Sequence, residues 1–333
     1  MTEGSTPRSS FAVFANAFTL PEDVILAIDW EQTFRSWSKP SNDTEADKQD
    51  NAYRMVSDAV SEYEPLDTHR TRVIAQGSYR NNTNVRQESD VDICVCCTEV
   101  VFDDYSFADY GRTEAGLIAS PYTYSQFKND VQAALVAKFG TDGVTRGSKA
   151  FDVHPTGYRV DADVVAAWAY RQYKKREYNA LLGMALPIYV EPEGTKFISD
   201  TGAIIINWPE QHYANGVAKN GRTGNRFKYI VRALKRLKYY MIENKIGGVE
   251  SVPSYLIECM VYNVPDGLLE GDSYEQNVRD VLVSTYNATN TEDTRKNLLE
   301  VNELKYLFHS SQPWTHQQAL SFSQAAWNTV GFE

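Results

Sequence analysis

Asp90 and Asp92 open the strand-like run Asp90-Val91-Asp92-Ile93-Cys94-Val95-Cys96-Cys97, and their types and spacing suit metal-assisted chemistry. Side chains alternate along a strand, so both carboxylates point to one face. Two like charges held that close are unfavourable unless a cation lies between them. Hard divalent ions such as magnesium take oxygen ligands from one or two carboxylates and complete their shell with phosphates and water. Upstream, Gly77-Ser78 follows the apolar run Arg72-Val73-Ile74-Ala75. A turn there would bring backbone N–H groups and a hydroxyl towards phosphates, with no Cβ at Gly77 to block a close approach. The combination points to transfer of a nucleotidyl group.

Two-metal phosphoryl chemistry holds its ions roughly 3.5–4 Å apart and calls for more anionic ligands than one Asp-x-Asp supplies. Arg159-Val160-Asp161-Ala162-Asp163-Val164-Val165-Ala166-Ala167-Trp168 offers them, with Asp161 and Asp163 on one strand face. An acidic residue in a strand otherwise built for burial needs a compensating partner. The alternative is a strand edge whose aspartates face water.

The elements that must position these residues come from a chain of 333, enough for one large or two closely packed domains. A net charge of −11 excludes a protein whose main task is to coat nucleic acid, because that task uses a broad basic surface. Small anionic substrates remain compatible where basic groups and metal are concentrated locally. Cys94, Cys96, Cys97 and Cys259 lack zinc-ligand spacing and read as buried reduced thiols. The first ten residues carry no basic region leading into an apolar core, and no apolar run approaches the ~18 residues that cross a bilayer. A soluble, cytoplasmic protein without a membrane partner is expected.

Residues 1–18 read as an irregular lead-in, and Pro21-Glu22-Asp23 as the first turn of a helix carrying Val24, Ile25, Ile28, Trp30 and Phe34. A second helix is expected over about 43–64 and another over 124–139, with Phe127, Val131, Ala134, Leu135 and Phe139 at helical spacing. Strands are expected at 72–76, 90–97, 159–168 and 202–207. Beyond 225 helical periodicity dominates, at 226–243, 253–262, 273–287, 292–308 and 315–328. The Gly-rich, basic stretch 215–225 between the halves reads as a linker or as a mobile loop near a phosphate site. Arg171-Gln172-Tyr173-Lys174-Lys175-Arg176 reads as a solvated loop or helix end, with a surface for an activating partner as the alternative.

Gly77-Ser78, Ser89-Asp90-Val91-Asp92 and Asp163-Val164-Val165-Ala166-Ala167 resemble the nucleotidyltransferase superfamily that includes DNA polymerase beta. More narrowly they resemble the bacterial cGAS/DncV-like nucleotidyltransferases and animal oligoadenylate synthases. The bacterial pattern is Gly-Ser, Ser-Asp-(Val/Ile)-Asp, then Asp-Val-Val-Pro-Ala; here Ala166 stands where proline is usual. Ile206-Asn207-Trp208-Pro209-Glu210-Gln211-His212, the run from Asn225 to Lys235, and Val252-Pro253-Ser254-Tyr255-Leu256-Ile257-Glu258 extend the likeness, which covers roughly 70–265.

The resemblance implies an α+β fold: a polymerase-beta-like core of mixed sheet and helices (1–215) packed against a C-terminal helical lobe (216–333), with a long N-terminal helix bridging the two. It selects Asp163 over Asp161 as the third ligand beside Asp90 and Asp92, for two Mg²⁺ ions that Mn²⁺ would replace. It implies that Gly77, Ser78, Lys235 and Ser254 contact the substrate triphosphate and that Tyr255 stacks on a base; a tyrosine filling a helix–helix gap is the alternative for Tyr255. For Lys228 a solvated basic face is expected, and for the five histidines no ligand role. The implied activity condenses nucleoside triphosphates, ATP among them, into a cyclic di- or trinucleotide second messenger. The implied partners are a separate effector in an anti-phage system and a regulatory protein. A linear oligonucleotide synthase, an enzyme modifying tRNA or protein, and an inert nucleotide-binding scaffold are the alternatives.

Overall fold

The computed structural model describes residues 28–40, 42–85 and 90–332. The expected lead-in and first helical turn at 21–23 lie outside them. Helices α1 (Trp30–Trp37) and α2 (Asp43–Ser61) come first, then β1 (Thr71–Ala75), α3 (Gly77–Asn81), β2 (Val91–Phe107) and α4 (Tyr124–Phe139). Strands β3 (Val144–Arg146), β4 (Phe151–Val153), β5 (Ala162–Asn179), β6 (Met184–Tyr189), β7 (Gly194–Ile198) and β8 (Ile204–Asn207) follow. The rest is helical: α5 (Pro209–Arg222), α6 (Arg226–Glu243), α7 (Ser254–Tyr262), α8 (Tyr274–Asn290) and α9 (His316–Val330).

The strands make one mixed sheet with the path β1-β2-β5-β4-β3, and β6 and β7 also pair with β5. Its spine is the parallel pair β2–β5; the other pairings are antiparallel. Over 91–97 and 164–170 these two strands read as near-continuous apolar runs because both faces are covered there. Val91, Ile93, Val95, Cys97, Ala162, Val164, Ala166 and Trp168 pack under α2 and α4 with Val56, Phe127 and Val131. The alternate residues Cys94, Cys96, Val165, Ala167 and Ala169 form a smaller cluster with Ile74 and Phe197. All four cysteines are buried and unbridged.

Helix α4 has the expected bounds, and its start is fixed by a capping box. The Gln126 backbone N–H donates to Thr123 Oγ1 at 3.2 Å, and the Thr123 N–H donates to Gln126 Oε1 at 2.9 Å. In the helical half, the expected stripe Phe227, Ile230, Val231, Leu234, Leu237 and Met241 of α6 is buried against α7, α8 and α9. Trp30 and Phe34 of α1 join that same cluster.

Several expectations need correction. Among the described residues there is no single long bridging helix: α1 packs on the helical lobe and the 19-residue α2 on the sheet. Most of the Gly-rich stretch 215–225 is neither linker nor mobile loop, because it forms the second half of α5. Pro209, His212, Gly216 and Lys219 are the buried positions of that helix, one face at helical spacing filled by residues that do not look apolar. Lys219 Nζ donates at 2.7 Å to the Val264 carbonyl and to Asp266 Oδ1, so this cation ties α5 to the lobe. The helix expected over 292–308 is reduced to Glu292–Arg295. Downstream, Asn302 Oδ1 accepts from the backbone N–H groups of Leu304 and Lys305, a side-chain turn that competes with helix. The basic run 171–176 lies within β5. Strands β3, β4, β6 and β7 were not expected. No helix among the described residues is long and apolar enough to cross a membrane.

Candidate active site

The chain leaves β1 at Ala75 and turns sharply into α3. Gly77 has φ +64°, and a Cβ placed on it would lie 1.9 Å from Asp92 Oδ2 and 2.8 Å from its Cγ. Only glycine fits a left-handed residue pressed against a carboxylate in this way. The Gln76 N–H donates to the Asp92 carbonyl at 2.9 Å, which continues the β1–β2 ladder to this point. Asn81 Nδ2 donates to the Gly77 carbonyl at 2.8 Å, and the Thr83 N–H to the Ser78 carbonyl at 3.0 Å, so the Gly-Ser turn is closed on itself.

Asp92 pairs with Asp163 across the parallel β2–β5 ladder, and Asp163 pairs with Asp152 across the antiparallel β5–β4 ladder. Paired residues project to the same side of a sheet and neighbouring strands lie about 4.8 Å apart. Three carboxylates therefore stand in one row, with Gly77 against its first member. Asp90 and Asp161 immediately precede β2 and β5, where the Val91 N–H donates to the Asp161 carbonyl at 3.0 Å. Asp163 is raised above the ordinary carboxylate value by burial, then by the charges of Asp152 and Asp161. Asp161 is raised by burial and Asp152, against the opposing pull of His154 and Arg159. The row is thus a place where negative charge is held at a disadvantage, which a cation would relieve.

Sequence reading missed Asp152. Its only signal is a polar residue between Phe151 and Val153, both fully buried, and three residues are too few to announce a strand.

The donor set suits a hard cation: carboxylate oxygens on one face, with the Gly77 backbone beside them. Among the described residues no three Asp, Glu, His or Cys side chains converge as an ion-holding cluster.

The helical lobe holds the remaining predicted residues. Lys235 is 2% exposed, with Nζ 3.9 Å from Glu258 Oε2. Ser254 opens α7, and its Oγ accepts from Lys238 Nζ at 3.3 Å. Tyr255 donates its hydroxyl to Glu300 Oε2 at 3.0 Å and packs its ring 5.4 Å from His212 and 5.7 Å from Trp314. That is the gap-filling arrangement rather than an open stacking platform. Lys228 is lowered by burial, so its face is less solvated than expected.

Glu258, an acid within the otherwise apolar α7, organises this region. Its Oε1 lies 2.8 Å from His212 Nε2, and Oε2 accepts from Thr83 Oγ1 at 2.8 Å. Burial alone would raise its carboxyl, but the His212 hydrogen bond and charge, with Lys235 and Thr83, pull it down to about 2.

Comparison with known proteins matches this arrangement to a family. Residues 214–331 match the family model for the cGAS/DncV-like nucleotidyltransferase C-terminal helical domain. Over 306 residues the chain is 49% identical to the cyclic dipyrimidine nucleotide synthase CdnE of Legionella pneumophila, covering 92% of this chain and 99% of that protein. The chain belongs to the cGAS/DncV-like nucleotidyltransferases. A second relative, the cyclic dipyrimidine nucleotide synthase CdnE of Cecembia lonarensis, is 38% identical across 91% of this chain and 98% of its own. The solved structure of the CdnE cyclic dinucleotide synthase of Elizabethkingia meningoseptica with GTP and Apcpp superposes with a TM-score of 0.71. It is 34% identical, covering 91% of this chain and 99% of that one. The sheet with its helical lobe is the α+β cGAS/DncV-like nucleotidyltransferase fold that the sequence motifs implied.

Proposed function

We propose that this chain joins nucleoside triphosphates into a cyclic dinucleotide with release of pyrophosphate, and that both bases are pyrimidines. The base assignment rests on the relatives at 49% and 38% identity, both named cyclic dipyrimidine nucleotide synthases. The observation that carries the reaction class is the pairing of Asp92 with Asp163 beside a Gly77 that has no room for a Cβ.

In this reading Asp90, Asp92 and Asp163 would hold two Mg²⁺ ions, with Mn²⁺ as a substitute. When bound, such ions offset triphosphate charge and make an acceptor hydroxyl easier to deprotonate. The chain's own residues do the placing. The Gly77–Ser78 turn lets phosphate oxygens approach backbone and hydroxyl donors. Lys235 and Ser254 would hold the triphosphate, with Lys238 beside Ser254 as a further ammonium. A ribose hydroxyl then attacks the α-phosphorus in line, its new P–O bond replacing the bond to pyrophosphate. The linear product turns in the cleft, and the second attack closes the ring. We assign Tyr255 to filling the gap between helices and not to base stacking, a reading supported by its contacts with Glu300, His212 and Trp314. A separate effector of an anti-phage system would read the product. We also propose a division into 1–215 and 216–333, supported by separate apolar clusters under the sheet and among the helices, with α1 crossing over to the helical one.

The test is incubation of purified protein with labelled ATP, GTP, CTP and UTP and Mg²⁺ or Mn²⁺, then phosphatase and mass spectrometry. Phosphatase-resistant cyclic dipyrimidine that is lost in the Asp90→Ala/Asp92→Ala protein is expected. Purine-only product would overturn the base assignment, and only phosphatase-sensitive product would turn the reading to a linear synthase.

A further inference from the structure

The Gly77–Ser78 turn is held from the helical side at three points. Arg80 Nη2 donates to Glu210 Oε2 of α5 at 2.6 Å, and its guanidinium lies 4.8 Å over the Tyr213 ring. Arg232 of α6, fully buried, donates Nε to the Ser38 carbonyl at 2.7 Å and Nη1 to the Asn82 carbonyl. Thr83 donates to Glu258 of α7. The third tie differs from the others because its acceptor also faces Lys235.

A buried carboxylate surrounded by polar partners is not a cheap way to fill a lobe interface; apolar side chains of similar volume often do so with equal or greater stability. Breaking one tie of such a network is nevertheless strongly unfavourable, because the remaining charge is left uncompensated. Glu258 avoids that state by having three partners on three elements: His212 on α5, Lys235 on α6 and Thr83 just beyond α3. The Lys235 contact, at 3.9 Å, is longer than a hydrogen bond, whereas the other two are short.

We propose that Glu258 is a positioning residue that couples nucleotide binding in the helical lobe to the Gly77–Ser78 turn. The proposal rests on the triphosphate role given above to Lys235. Before nucleotide arrives, Glu258 holds the lysine. As Lys235 turns to a phosphate, Glu258 keeps His212 and Thr83, so its charge is never stranded. Thr83 follows Ser78 by five residues, and the Thr83 N–H is bonded to the Ser78 carbonyl. The carboxylate that hands over the lysine therefore also fixes the turn on the other side of the same triphosphate.

The experiment compares the full chain with Thr83→Val, Thr83→Ser and Glu258→Gln. Affinity for a non-hydrolysable UTP analogue with Mg²⁺ is measured by calorimetry, alongside KM, kcat and the melting temperature. Thr83→Val, which keeps shape but loses the hydroxyl, should weaken analogue binding and raise KM by roughly tenfold, as one lost charge-assisted hydrogen bond predicts. Thr83→Ser should restore both. Wild-type affinity and KM in Thr83→Val, with only the melting temperature lowered, would overturn the proposal. Should Glu258→Gln fail to fold, the two Thr83 variants decide alone. A wild-type protein that makes no cyclic product would sink the synthase reading, while the calorimetric comparison would still decide this one.

Discussion

Replacing Gly77 with alanine would put a methyl carbon 1.9 Å from Asp92 Oδ2 on a residue whose φ is +64°. The left-handed backbone alone costs a non-glycine residue about 1–2 kcal/mol, and relief of the clash requires the Asp92 carboxylate to leave its place. Gly77→Ala is therefore expected to lower product formation at least roughly a hundredfold, about 2.7 kcal/mol in barrier, with a moderate fall in melting temperature. Initial rates and thermal melts check this; a near-wild-type rate would show that Asp92 works from another position. The Gly77 turn was readable from the chain, because a residue without a Cβ ahead of a strand that carries carboxylates allows a close approach. Asp152 was not, since its place in the row depends on the register of β4 against β5. Glu258 was also hidden: a single acid in an apolar helix reads as a defect until Thr83 and His212 arrive from distant stretches.

Among the elements, the spine strands were visible by their apolar runs and α4 and α6 by their stripes. Helix α5 was misread because its buried face carries Pro209, His212, Gly216 and Lys219, so period and hydrophobicity part company. Gly216 is helical without positive φ, and an added Cβ would meet only Phe227 at 3.9 Å and Val301 at 4.0 Å, ordinary contact distances. Gly216→Ala should accordingly stabilise the protein by about 0.5–1 kcal/mol, through helix propensity and a less flexible unfolded chain. Denaturant or thermal unfolding will show the gain; a loss would mean that the packing between α5 and α6 has no slack. The sheet has less tolerance. A slip of one residue between β2 and β5 would send Asp92 and Asp163 to opposite faces, so the apolar neighbours that fix this register also fix the chemistry.

At the scale of the molecule, the Glu258 network joins the sheet side to the helical side, and its protonation should govern how they hold together in acid. The folded carboxyl titrates at about 2, below its ordinary 4.5. A depressed value means that the native state binds the proton less readily than the unfolded chain. The stabilisation is therefore complete above about pH 4.5 and is lost as pH falls towards 2. Melting temperatures across that window should fall for the wild type and fall less steeply for Glu258→Gln; the difference is on the order of 3 kcal/mol. Parallel curves would assign the acid sensitivity elsewhere. That a mixed sheet gives way to helices was readable from the change of period near residue 225, although the helices begin earlier, at Pro209. The path of the N-terminal segment was not, because α1 and α2 are adjacent in sequence yet serve different apolar clusters.

That separation bears on how the polypeptide acquires its shape during synthesis. Trp30 and Phe34 find their neighbours among residues such as Phe227, Leu234 and Trp327, roughly two hundred positions or more downstream. On a ribosome, the apolar cluster under the sheet has all its members long before those positions emerge. Helix α1 must meanwhile wait with its aromatic side exposed, and it docks only when nearly the whole chain has been made. A fragment beginning at the family-matched residue 214 would lack the plug that seals its own interior, and the early-made segment would be the last piece to be set in place.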